Sequence, residues 1–312
     1  GKIKVLPTSR VGVGPLAEMA QQLRSFLPGW EDTVQNPERG RAPADLQWDL
    51  EHLVRHDAEG VLVASIGSEV VGFIASFVRS RVLLISQLWV LPEHESGGAA
   101  QALVRRALLF GQRSGTSKVV FHALTPQQVA LGLQFGLTPA APLLRLLYPA
   151  EAARLLGHQL ARLLPGAEVT AEATGRRAYF ADLERLDRLV RGFARPMDHE
   201  YWLFTRNWSL AVVRDGERIQ AYAYGAPGHC GPVVGTTEEA TLAAVGWALQ
   251  LAAPPSLEQA NSAPVELLIP AVFSRAFDHL LEVHPQVPAA TWWMANEIPR
   301  SFSFLPAGLS LL

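Results

Sequence analysis

The densest chemistry in this 312-residue sequence lies in one run, Val90-Leu91-Pro92-Glu93-His94-Glu95-Ser96-Gly97-Gly98-Ala99-Ala100-Gln101-Ala102-Leu103. The apolar stretch ending at Pro92 reads as a strand, and the apolar positions after Gly98 recur at helical spacing. The first amide N–H groups of such a helix have no internal partner, and its dipole puts partial positive charge there. Gly97 and Gly98 carry no side chain, and Ala99 and Ala100 are small, so an anionic group can come close to the backbone. Strand, glycine turn and helix start together outline a site for a pyrophosphate-sized anion. Glu95 works against it. At about 4 Å and an effective dielectric of roughly 20, two like unit charges repel by about 4 kcal/mol, less when exposed. The carboxylate must therefore point away from the anion or weaken its binding.

Other titratable groups have two readings each. His122 falls on a predicted strand, where it serves as a base for an amine or as an interior, hydrogen-bonded imidazole. Glu93 and His94 flank the glycine turn, as bases or as ordinary surface residues. Asp198-His199-Glu200-Tyr201-Trp202 either lines an acceptor pocket or forms a polar helix start with capping carboxylates. His229-Cys230 is too isolated for a thiol or metal site, and Trp292-Trp293 on a strand packs against both faces of a sheet. No Cys/His cluster has zinc spacing, so no metal is expected, and no catalytic residue is assigned.

The elements that must position these residues follow from periodicity. A strand over residues 2–6 precedes helices over 15–26 and 44–56, with a polar loop over 36–43 between them. Runs at 60–66 and 70–78 flank Gly67-Ser68-Glu69, a hairpin signal, and a strand follows over 82–90. A helix over 98–112, a strand over 118–124 and a helix over 126–135 complete the first half. After a helical stretch from 150 to 164 the same order restarts. Asp215-Gly216 joins a second hairpin, a strand covers 230–234, a helix 237–251 and a strand 265–269, with a closing hairpin expected from 291–295 and the segment after 302. The sequence thus reads as an internal duplication in two domains, 1–149 and 169–312, joined by a linker helix over 150–168. A single large α/β domain is the alternative. The fold class is α/β, of the α+β type, with a mixed, mostly antiparallel sheet flanked by helices in each half.

Composition narrows the partners. With 49% hydrophobic and 18% charged residues the chain has ample core, and its formal net charge of -2 offers no electrostatic reason to bind nucleic acid or an anionic membrane. No apolar run approaches the roughly 20 residues of a membrane helix. The single cysteine, Cys230, cannot form an intrachain disulfide, which points to a reducing, cytoplasmic compartment. Nothing in the sequence speaks to oligomeric state.

The glycine-turn segment resembles the acyl-CoA pyrophosphate loop of the GNAT superfamily of N-acetyltransferases, Gln/Arg-x-x-Gly-x-Gly/Ala after a strand ending in Val-x-Pro. Val90 and Pro92 match the strand end, Gly98 and Ala100 the small positions, and Leu103 the apolar helix position, while Glu95 stands at the Gln/Arg position. Val71-Gly72-Phe73 is similar to the family's third strand. The resemblance implies that the fourth and fifth strands splay and that the pantetheine arm of acetyl-CoA pairs with the fourth. It makes Trp89, Val90, Leu91, Glu95, Ser96, Gly97, Gly98, Ala99, Ala100 and Thr125 the cofactor-binding residues. The backbone N–H of Val90 would polarise the thioester. The family's helix signature, Asn-x-x-Ala-x-x-x-Tyr-x-x-x-Gly-Phe, is matched only by Gly136-Leu137. Thr125 replaces its Asn, Gln128 its Ala, and Gly132 the Tyr that in many relatives protonates the leaving thiolate. In the second half Tyr222-Ala223-Tyr224-Gly225 and Gly231-Pro232-Val233-Val234 resemble degenerate carboxy-terminal domains of tandem bacterial members. Glu238 and Glu239 there favour the helix dipole themselves and oppose a diphosphate. The implied activity is transfer of an acetyl group from acetyl-CoA to a small-molecule or peptide amine, and the alternative is a catalytically inactive binding or regulatory protein on the same scaffold.

Overall fold

β-Branched and apolar runs on either side of Gly67 pair as antiparallel strands β2 (Val61–Ile66) and β3 (Glu69–Arg79), with Gly67 at φ +63° in the turn. This hairpin comes from a computed structural model, which describes residues 2–30, 43–170, 177–253, 264–273, 275–297 and 304–306. The polar loop expected over 36–43 lies almost wholly outside the described residues. The chain divides into two units, Gly1–Ala141 with Thr291–Ile298 and Leu309–Leu312, and Pro142–Ala290 with Pro299–Gly308.

In the first unit, β1 (Ile3–Pro7) lies antiparallel to β2, and β3 antiparallel to β4 (Val82–Val90). β4 then runs parallel to β5 (Lys118–Ala123), and β5 pairs antiparallel with Thr291–Ala295 of β12 (Gln286–Ala295). Helices α1 (Gly14–Ser25), α2 (Pro43–His56), α3 (Ala99–Arg113) and α4 (Pro126–Gln134) flank these strands. Leu103, Val104, Ala107 and Phe110 of α3 are buried with Leu83, Ile85, Leu88 and Phe121 in one core.

The second unit repeats this order. Antiparallel strands β7 (Ala167–Thr170), β8 (Ser209–Asp215), β9 (Arg218–Ala226) and β10 (His229–Gly235) are followed by parallel β11 (Val265–Pro270). β11 in turn pairs antiparallel with Leu143–Tyr148 of β6 (Thr138–Tyr148). Among the described residues, both units thus set four antiparallel strands, one parallel neighbour and a further antiparallel strand in the same spatial sequence. Both are mixed, mostly antiparallel sheets flanked by helices. No described helix is long and apolar enough to cross a membrane.

The boundaries differ from those read in the sequence. Thr291–Ala295 does not close a hairpin of the second half; it completes the first unit's sheet beside β5. The helix expected as a linker, α5 (Ala150–Ala161), buries Ala153, Leu156 and Leu160 in the second unit's core with Ala243, Ala244 and Ala248 of α8 (Glu238–Ala252). An apolar helical face needs a core to cover it, and here that core is the second unit's.

That unit also buries charge. Asp187, on helix α6 (Phe180–Val190), accepts from Tyr222 Oη at 2.6 Å and meets Nε2 of His199, on α7 (Pro196–Glu200), at 2.8 Å. Arg191 Nε lies 3.3 Å and Arg195 Nε 3.7 Å from its carboxylate. Burial acts to raise the Asp187 pKa, but the His199 hydrogen bond and the charges of His199, Arg195 and Arg191 outweigh it and hold it below the usual carboxylate range. Asp187→Asn leaves two buried guanidinium groups facing a neutral amide. It is expected to lower unfolding free energy by about 3–5 kcal/mol, read from urea denaturation.

Candidate functional site

β4 and β5 are hydrogen-bonded side by side only from Val82 opposite Lys118 to Ile85 opposite Phe121. Beyond that rung β4 continues to Val90 and β5 to Ala123 without further pairing, so the two strands part. The β3–β4 register shifts at the same level: Ala75 faces Gln87 and Ser76 faces Ile85, leaving Ser86 as the extra residue of a bulge. A bulge bends its strand, and this one turns β4 away just where the fork opens.

Strand alternation decides what lines the fork. Leu91 N donates to Val71 O on β3 at 2.9 Å, whereas Leu88 O accepts from a side chain on the far side, Gln128 Nε2, at 2.8 Å. Because successive residues point their backbone groups to opposite edges, the N–H of Val90 shares the fork edge with the carbonyl of Leu88. Side chains alternate between faces in the same way. Ile85, Leu88, Phe121 and Ala123 enter the α3 core, which leaves Gln87, Trp89 and His122 on the opposite face. There Trp89 Nε1 donates to Gln87 Oε1 at 3.0 Å, and His122 Nε2 meets Thr291 Oγ1 at 2.7 Å. Gln87 Nε2 and His122 Nδ1, on the same two side chains, are buried without a partner among the described residues. Each such group carries a desolvation cost that a polar ligand would relieve.

The glycine turn sits at the open end of β4. Pro92–Gly97 forms a short 3-10 turn, and Gly98, at φ +82°, stands as N-cap of α3 with no side chain capping it. A left-handed φ is strained for any residue with a Cβ, so Gly98 is the residue type this turn requires. The first amides of α3 are thereby left to whatever approaches from outside. A Cβ at Gly97 or Gly98 would meet only open space, so the approach is clear. Glu95 and Ser96 are exposed on the turn, Ala99 is buried beneath it and Ala100 is half-buried. The Glu95 side chain is therefore solvent-screened.

Other residues singled out in the sequence have different surroundings. Thr125 caps α4, its Oγ1 accepting from Gln128 N at 3.2 Å, so its hydroxyl is already engaged. Gly132 is buried: a Cβ there would stand 2.7 Å from Met294 Sδ and 2.9 Å from Met294 Cε. Met294 of β12 thus fills the space in which the family's tyrosine would have to sit. His122 is fully buried, and desolvation lowers its pKa to about 3, so it is neutral near pH 7 and a weak base. Asp198, His199, Tyr201 and Trp202 are buried rather than arrayed around a pocket, and His199 Nδ1 binds Tyr224 Oη at 2.7 Å. Cys230 is a buried thiol whose pKa burial pushes up. Trp293 is buried and Trp292 partly exposed, one on each face of β12.

The second unit's fork is occupied. Val233 and Val234 of β10 pair antiparallel with Leu305 and Phe304 of the short strand β13 (Phe304–Leu305). Arg191 Nη2 donates to Leu305 O at 3.1 Å, and its guanidinium lies over the Phe304 ring at 4.3 Å. At the start of α8, Thr237 Oγ1 accepts from Ala240 N at 3.1 Å, closing the cap that Gly98 leaves open. Glu238 does not serve the dipole alone, since its Oε1 accepts from Ala276 N at 2.9 Å.

Sequence reasoning missed Gln128 and Gln87. A signal for the first existed, because Thr125-x-x-Gln128 has the form of a capping box, but its reach to Leu88 depends on where β4 lies. Because His122 stays neutral when folded but titrates near pH 6.5 when unfolded, only the unfolded state takes up its proton between pH 6.5 and about 3. Its contribution to stability is complete above pH 6.5 and falls with acidification by up to about 1.4 kcal/mol per pH unit. His122→Gln is expected to flatten that part of the stability–pH curve in urea melts, and the His122 ring resonances of the native protein should not titrate between pH 8 and 4.

A family model described as the Acetyltransferase (GNAT) family matches residues 23–134. No curated protein matches the sequence. Among solved structures, one described as an acetyltransferase from Pyrococcus horikoshii is 14% identical with a TM-score of 0.69, covering 99% of this chain and 96% of that one. A GCN5-related N-acetyltransferase from Sphaerobacter thermophilus is 14% identical with a TM-score of 0.57, covering 96% of each chain. A tandem GNAT protein from the clavulanic acid biosynthesis pathway is 13% identical with a TM-score of 0.56, covering 94% of this chain and 98% of that one. At such identities these likenesses establish fold rather than chemistry. The family match falls within the first unit, whose splayed strands and glycine-capped helix it spans, and the chain as a whole shares its fold with these structures, a tandem GNAT protein among them.

Proposed function

We infer that the first unit is an acyl-CoA-dependent N-acyltransferase, acting most simply with acetyl-CoA on a small-molecule or peptide amine. The observation that carries this reading is the fork between β4 and β5, which opens after Ile85 and Phe121 and leads to an uncapped helix start at Gly98. Acetyl-CoA would supply an activated thioester carbonyl and a diphosphate. The amides of Ala99 and Ala100, behind Gly97 and Gly98, suit the diphosphate. The fork edge of β4, with Trp89, Val90 and Leu91 leading into the turn, suits the extended arm, and Ser96 and the Thr125 cap flank it.

The Val90 N–H, on the fork edge of β4, suits polarisation of a thioester carbonyl, which would stabilise charge as the amine nitrogen adds and the carbon–sulfur bond breaks. The amine must arrive neutral, and its proton passes to solvent or to a base. His122, neutral and weakly basic, does not suit that role. The second unit supports no donor site in this reading, since β13 and the Thr237 cap take up the corresponding positions.

A second reading, a non-catalytic binding or regulatory protein, is favoured by Met294 in the space of the absent tyrosine. Calorimetry with acetyl-CoA separates the two. One site per chain and thiol release with an amine panel are expected for the transferase, and no heat up to millimolar acetyl-CoA leaves the binding-protein reading. Glu95→Gln is expected to tighten acetyl-CoA binding two- to threefold, as an order-of-magnitude estimate for an exposed charge, with the gain vanishing in high salt.

A further inference from the structure

The carboxamide of Gln128 spans the fork of the first unit. Its Nε2 donates to Leu88 O on β4 at 2.8 Å, and its Oε1 accepts from Leu124 N, just past β5, at 2.8 Å. It thus closes with one donor and one acceptor a gap that the strands leave unpaired beyond Ile85 and Phe121. An extended ligand arm bearing secondary amides would use the same donor and acceptor chemistry along this edge of β4. Ligand and side chain cannot both bond the fork-facing lone pairs of Leu88 O in the same place.

We propose that Gln128 is a displaceable internal occupant of the acyl-donor groove and sets the affinity of the groove for its donor. The proposal rests on the acyltransferase reading, since the competing ligand is the pantetheine-type arm of an acyl-CoA. Displacement is local. Gln128 is half-buried, and its backbone stays anchored because Gln128 N donates to Thr125 Oγ1 at 3.2 Å. Rotation of the side chain alone frees Leu88 O while α4 keeps its cap. The position makes the groove self-satisfied when empty and charges the ligand for entry, as any minor binding-competent state does.

Helix capping is the competing explanation, because Oε1 serves the α4 start whether or not a ligand exists. Gln128→Ala removes the occupant, and Gln128→Glu keeps an acceptor for Leu124 N while losing the donor to Leu88 O. Isothermal titration of acetyl-CoA into wild type and both variants reads affinity, and urea melts confirm that each variant is folded. In wild type, the side-chain amide resonances of Gln128 report its displacement. The proposal expects about tenfold tighter binding for Gln128→Ala, the scale of two exchanged hydrogen bonds. It also expects a gain for Gln128→Glu, and movement of the Gln128 amide resonances when acetyl-CoA is added to wild type. Wild-type binding with unchanged or weaker affinity in Gln128→Ala overturns the proposal and leaves the donor site standing. A gain in Gln128→Ala without movement of those resonances in wild type also overturns it. No binding by any of the three proteins overturns the acyltransferase reading and the proposal together.

Discussion

Two parallel strands that part inside a sheet leave backbone donors and acceptors facing a gap, and buried backbone groups tolerate no such vacancy. Both units are organised round this constraint. In the first, the carboxamide of Gln128 meets Leu88 O and Leu124 N across the opening. In the second, Val233 and Val234 pair with a strand of the chain itself, Leu305 and Phe304. The two solutions differ in how readily they reverse. A side chain leaves by rotation about its own bonds, whereas β13 is held by Arg191 through Leu305 O and the Phe304 ring.

The helix starts diverge in parallel with the forks. Gly98 offers α3 no side-chain cap, so its first amides remain available, whereas Thr237 closes the start of α8. One unit thus keeps a backbone edge bridged by a side chain and a helix start without a side-chain cap, while the other fills both places with its own residues. The buried cluster around Asp187 fits that division. Its carboxylate, imidazole and two guanidinium groups are sealed from solvent and tie α6 to β9 through Tyr222. In the first unit, by contrast, Gln87 Nε2 and His122 Nδ1 on the fork's face have no partner among the described residues.

Local pattern made most elements legible. The hairpin at Gly67, the β-branched and apolar runs of β2 to β4 and the helical spacing after Gly98 were all read from residues close together in the chain. The candidate site was legible where it depends on backbone, at Gly97 and Gly98, because a missing side chain has the same meaning in any context. It was not legible where it depends on a partner distant in sequence. Gln128 reads as a capping residue until β4 is beside it, and Gly132 reads as a lost catalytic group until Met294, far along the chain, is seen in its place. His122 illustrates the same point, since its type permits proton transfer and its complete burial removes it.

By itself, the sequence determined the duplicated order of strands and helices, and with it a helix start that follows a glycine turn. Periodicity and conformational freedom are properties of adjacent residues. Tertiary structure alone decided which strand closes each sheet, so that Thr291–Ala295 lies beside β5 and Leu143–Tyr148 beside β11. It alone decided that one fork is bridged by a side chain and the other by a strand. Strand pairing is set by hydrogen-bonding edges that almost any residue can offer, so composition carries little record of which edge a strand will find.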